Sequence, residues 1–177
     1  MRGVSTAGLG ETPGGVFGSL RKGIFNLLKP LQPGVGPQDA SDEIAGLPEG
    51  YGLGPERADQ MVRANSVARH GIPLSYHSDL PMGPSAPLYL AWCGVNRITP
   101  SGRVAGPDQR ITIDQALRAI TIEAAYSWRH DDWIGSIAPG KIANFTILAE
   151  DPYAVDPERL KDIPIWGTVF EGRLFPI

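Results

Sequence analysis

Between Gly54 and Gly135 only one stretch reads as a β-strand, the apolar run Ile72–Tyr76 in IPLSY, and it does so in spite of Pro73. A strand with no partner leaves its backbone groups unpaired and its apolar faces wet. Whatever this chain folds into must bring neighbours to that strand, and the sequence around it offers helices instead. Gly54 opens a regular pattern of Pro55, Glu56, Ala58, Met61 and Val62 that stops at Gly71, which predicts one helix. Beyond the loop LPMGPSAP, the residues Leu88, Ala91, Trp92 and Val95 recur at i, i+3, i+4 and i+7, a second helix. Helix, strand, loop and helix in succession is the grammar of an α/β fold.

The clearest helix lies in TIDQALRAITIEAAYSW. Thr112 with Gln115 three residues on forms a capping box, and Ile113, Ala116, Leu117, Ile120 and Ala124 make one face. After Gly135 the pattern changes to short β-branched and aromatic runs, NFTILAEDP and WGTVFEGRLFPI, the second folding back at Glu171 and Gly172. Two or three strands with a terminal hairpin are expected. The first fifty residues are full of glycine and proline and predict a poorly ordered head, with one amphipathic island at Phe17, Leu20, Ile24, Leu27 and Leu28 beside Arg21, Lys22 and Lys29. Such a basic helix could touch a membrane surface, but its brevity favours a short helix capping a core. Three parts follow: a head over 1–53, a strand with flanking helices over 54–133, and β-strands over 134–177.

Charge and cysteine content narrow the function classes. Lys+Arg number 16 against Asp+Glu 19, a net charge of -3, so there is no basic excess to attract nucleic acid. A single cysteine, Cys93, excludes an internal disulfide framework and suits the cytoplasm. No signal-type leader and no run long enough to span a bilayer stands out, so no membrane partner is expected. At 177 residues the prior is one domain.

The chemistry-bearing residues cluster where the strand ends, in YHSD. On a strand His77 and Asp79 share one face and Ser78 the other, so imidazole and carboxylate would share an environment. By itself Asp79 reads as a turn or cap residue before Leu80 and Pro81. Ser78 is no nucleophile, since its neighbours face away and no G-x-S-x-G elbow exists. His130, in WRHDDW, reads as a solvated helix end.

GIPLSYHSDLPMGP, then AWCGVNRITPSGRVAGPDQRITIDQALRAITIEAAY, then GSIAPGKIANFTILAEDPY resemble in order and spacing the C-terminal part of the amidohydrolase superfamily, in its type-three group. The resemblance runs from about Gly54 to Ile177. It implies the end of a (β/α)8 barrel carrying one or two metals, usually zinc, plus strands of a small β-sandwich. It also implies that Asp79 ends the last barrel strand, contacts the metal-bound water, and shuttles its proton to the leaving nitrogen of a small amide or N-acyl substrate. His77 would orient substrate or Asp79, or simply fill the barrel. Asn96 and Arg97 are expected to serve helix-end packing and hydrogen bonding, with substrate contact as the lesser reading, Lys141 to face solvent, and Asn144, where the group usually has aspartate, to alter a turn hydrogen bond. The Asn144 sequon reads as accidental.

The donors for a hydrolytic metal are missing. About three protein ligands are needed, yet the histidines are His70, His77 and His130 and the cysteine is Cys93. A complete barrel takes about 250 residues. The expectation is therefore an incomplete barrel: the C-terminal portion of a metal-dependent amidohydrolase acting on non-peptide C–N bonds, inactive and metal-free alone. The full-length form would carry zinc or another divalent metal. The alternatives are a truncated remnant acting as an interaction module, or association with a separate chain that supplies the missing barrel portion and covers exposed apolar surface.

Overall fold

The computed structural model describes residues 55–78, 80, 83–99 and 102–177. The head over 1–53, its amphipathic island and Asp79 lie outside the described residues. Among the described residues five short α-helices come first: α1 (Pro55–Asp59), α2 (Ala64–Arg69), α3 (Pro87–Asn96), α4 (Ile113–Ala119) and α5 (Ile122–Ser127). A three-stranded antiparallel sheet follows, with β1 (Phe145–Leu148), β2 (Ile165–Phe170) and β3 (Arg173–Pro176) in that spatial order.

The helix expected from Pro55 to Gly71 is two helices. The break falls at Val62, which sits at φ 51, a costly conformation for a β-branched residue. Arg97 holds it there. This residue caps α3 in the left-handed region and is 2% exposed. Its guanidinium donates to the carbonyls of Val62 (2.9 Å), Met61 (3.0 Å) and Asp59 (3.5 Å), and its Nε donates to Ala105. Carbonyls orphaned at the end of α1 are thereby satisfied by a charge rather than by a following helical turn. The approach is close: a Cβ at Gly106, itself at φ 55, would lie 2.2 Å from the Asp59 carbonyl. Burial lowers the Arg97 pKa, and the Tyr76 and Asp59 side chains oppose it. Helix-end packing and hydrogen bonding, as expected for Asn96 and Arg97, is what both do.

The helix α3 forms as its spacing predicts and is the centre of the core, burying Ala91, Trp92 and Cys93 against Val62, Leu74, Ile111, Ala116 and Ala119. Its far side receives a 3-10 turn, Pro157–Asp162, that returns from the C-terminal region and inserts Leu160, 0% exposed. Trp92 Nε1 donates to the Glu158 carbonyl at 2.8 Å, Asn96 Nδ2 to that of Pro157 at 2.8 Å, and Lys161 Nζ lies 5.5 Å from the Trp92 ring centre.

The capping box forms as expected, with Thr112 and Gln115 exchanging bonds of 2.9 and 3.2 Å. The single helix expected after it does not. Three consecutive β-branched residues, Ile120, Thr121 and Ile122, straddle a break, with Thr121 at φ -125 and ψ -99. Such residues crowd the preceding turn of a helix.

The terminal hairpin folds at Glu171 (φ 48) and Gly172 (φ 77), both positive as a two-residue turn of primed type requires. Asn144 Oδ1 accepts from the Glu171 N–H at 2.7 Å, a turn bond of the kind expected of it. Lys141, expected in solvent, instead donates its Nζ to the carbonyls of Asp131 and Ile134. The sheet leaves much apolar surface open, with Trp166, Phe170, Leu174, Phe175 and Ile177 all exposed. No described helix is long and apolar enough to cross a membrane.

The strand expected over Ile72–Tyr76 is not part of any sheet among the described residues, which hold helices and one three-stranded sheet. The helices take its place as partners: Ile72 N donates to Val67 O (3.3 Å) and Tyr76 N to Ala119 O (3.3 Å). The Tyr76 hydroxyl is enclosed with no hydrogen-bond partner among the described residues, against Gly94 of α3, where a Cβ would come within 2.5 Å of the oxygen.

Two variants test this packing. Arg97→Lys cannot present the planar fork and should lose on the order of 3 kcal/mol in a denaturation midpoint series, because several buried carbonyls go unmet. Burial pushes the Tyr76 phenol above its ordinary value of 10.0, opposed by Arg97. The folded state then holds that proton more tightly than the unfolded one, so this stability is complete below about pH 10 and drains away above it. Tyr76→Phe should be as stable as the parent or up to about 1 kcal/mol more so at neutral pH, and should lose less on alkaline titration.

Candidate functional site

The segment that the sequence singles out, Ile72–Ser78, crosses the helices with every second N–H turned to them. Residues 72, 74 and 76 donate, and the middle bond is the shortest: Leu74 N to Glu123 Oε2 at 2.7 Å. The other Glu123 oxygen accepts from Arg118 Nε at 3.1 Å. Leu74 is 2% exposed and Ser75 6%, so the segment is anchored in the core at its middle. His77, half-buried, comes three residues after Leu74.

The break between α4 and α5 makes both anchors. In one continuous helix the Ala119 carbonyl would accept from the Glu123 N–H, and residues 118 and 123 would lie about 140° apart around the axis. With the helix interrupted at Ile120–Thr121, Ala119 O is released to Tyr76 and the Glu123 side chain reaches both Arg118 and Leu74. Beside these contacts opens a cleft of about 470 Å³, bordered by Leu74, Asp114, Arg118, Ile122, Glu123 and Tyr126. None of the three histidines lines it.

The remaining candidates are scattered. His70 caps the end of α2 with Nδ1 2.7 Å from the Ser66 carbonyl. His130 is exposed and meets the Trp133 ring edge-on at 6.3 Å. Cys93 is buried in α3. No group of three or more His, Cys, Asp or Glu side chains among the described residues is placed to hold a metal ion. The donor set on these residues does not fit a hydrolytic metal. Glu123 and Arg118 escaped the sequence reading because a continuous helix sets them on different faces. The run Ile120–Thr121–Ile122 was the signal for the break.

Comparison with known proteins places these residues in context. A family model described as "Amidohydrolase family" matches residues 28–175. N-substituted formamide deformylase of Arthrobacter pascens is 35% identical over 115 residues, 65% of this chain and 21% of that protein. Protein LONG AFTER FAR-RED 3 of Arabidopsis thaliana is 36% identical over 135 residues, 75% of this chain and 22% of that protein. Among solved structures, an amidohydrolase from Thermotoga maritima aligns with a TM-score of 0.49 at 17% identity, over 64% of this chain and 26% of that one. The chain thus spans about a fifth of the length of these two curated relatives. Since the family match takes in most of its residues, the helical segment and the antiparallel sheet included, this chain belongs to the amidohydrolase family.

Proposed function

We propose that this chain is the C-terminal portion of a metal-dependent amidohydrolase that cleaves a C–N bond other than a peptide bond in a small amide or N-acyl substrate. One observation carries the reading: the family match runs over 28–175, while the chain covers only about a fifth of its relatives. In this reading residues 54–133 contribute the last strand and flanking helices of a (β/α)8 barrel, and 134–177 contribute strands of a small β-sandwich. The exposed Trp166, Phe170 and Phe175 support it, because a three-stranded sheet with such side chains in water calls for a second layer.

Asp79 takes a proton from the attacking water and hands it to the leaving nitrogen, with His77 orienting that carboxylate or the substrate. The divalent metal that such enzymes carry, zinc or another, would be held chiefly by donors outside these residues, and the chain alone would be inactive. The deformylase relative points to N-formyl amines as the first substrates to try. A cytoplasmic setting suits the single buried thiol of Cys93.

The same apolar sheet favours a second reading, in which the chain is an inactive remnant that serves as an interaction module. One assay separates the two. Joined to or mixed with the rest of its barrel and supplied with zinc, the protein should release free amine from an N-formyl or N-acyl amine, and Asp79→Asn should lower kcat by about 100-fold to 10,000-fold. Release that survives Asp79→Asn removes the carboxylate from the mechanism; no release from the assembled protein leaves the interaction module.

A further inference from the structure

The segment that carries His77 is held by a device that no motif announces. Its backbone is not fixed by a sheet among the described residues. Instead two alternate N–H groups, at 74 and 76, are taken by acceptors that the break between α4 and α5 frees or brings within reach. Ala119 O is free of helical bonding, and Glu123 is turned so that its two oxygens divide between Arg118 (3.1 Å) and Leu74 N (2.7 Å). The Leu74 bond is charge-assisted and sits at a residue only 2% exposed, conditions under which such a bond is strong and directional. Arg118, on the last turn of α4, fixes the Glu123 rotamer from the other side.

We propose that Glu123 is a positioning residue for the hydrolytic site: its carboxylate sets where the Leu74–Ser78 segment lies and thereby where the His77 side chain is presented. It touches neither substrate nor reacting atoms. The inference rests on the hydrolytic reading above and assigns to it a residue 46 positions beyond His77 in the chain. A displaced reacting group costs rate more than binding, because near-attack geometry is lost while remote substrate contacts persist.

The test uses the full-length hydrolase and two substitutions. Glu123→Ala removes the acceptor; Glu123→Gln keeps an oxygen for the Leu74 N–H while discarding the charge. Two readouts are taken: exchange of the Leu74 amide hydrogen, which needs no activity, and kcat and KM for amine release from an N-formyl amine. Glu123→Ala should speed Leu74 exchange by roughly tenfold or more and lower kcat on the order of tenfold to hundredfold with KM little changed. Glu123→Gln should restore most of both. Unchanged Leu74 exchange in Glu123→Ala overturns the inference whatever the activity. So does accelerated exchange with kcat intact, or a Glu123→Gln variant as impaired as Glu123→Ala. Failure of the hydrolytic reading looks different, since the parent protein itself then releases no amine; the positioning role falls with it, and the exchange result still decides whether Glu123 anchors the segment.

Discussion

The guanidinium of Arg97 is the interaction on which the helical part of this protein depends. It collects the carbonyls of Asp59, Met61, Val62 and Ala105, which come from chain segments on either side of it. Without it, the Asp59 and Met61 carbonyls at and just past the end of α1 would lose the donor that the guanidinium supplies, and Val62 at positive φ would lose a bond that holds it. Burying a guanidinium is costly, and here its bonds to four carbonyls offset that cost. The consequence reaches the candidate site, because the turn it fixes presents α2, whose Val67 carbonyl takes the first N–H of the Ile72–Ser78 segment.

A second interruption, between α4 and α5, works by the same logic in reverse. There the helix stops and its loose ends become acceptors for another part of the chain. Ala119 O, which a continuous helix would have bonded internally, receives the Tyr76 N–H, and the Glu123 carboxylate receives that of Leu74. Breaks in regular structure thus supply the contacts that hold Ile72–Tyr76 against the helices.

The C-terminal sheet is tied to this centre through Leu160 and the bonds from Trp92 and Asn96, yet its own apolar residues stay largely in water. A helical core that is filled and a sheet that is not makes an uneven molecule. That unevenness stands beside a match that covers only about a fifth of each of the two curated relatives.

Local chemistry was legible from the residues alone. The capping box of Thr112 and Gln115, the helix over Pro87–Asn96 and the hairpin at Glu171–Gly172 all form where their spacing places them, since each is decided by neighbours a few residues apart. The order of motifs was also enough to indicate the family. The partners of Ile72–Tyr76 were not legible: periodicity marks a segment as buried without naming what buries it. Nor could the sequence tell that Arg97 would break one helix at Val62, or that Glu123 would turn back to Leu74. Those bonds join residues 35 and 49 positions apart, and only the packing of α2, α3, α4 and α5 around one core brings such groups within hydrogen-bond reach.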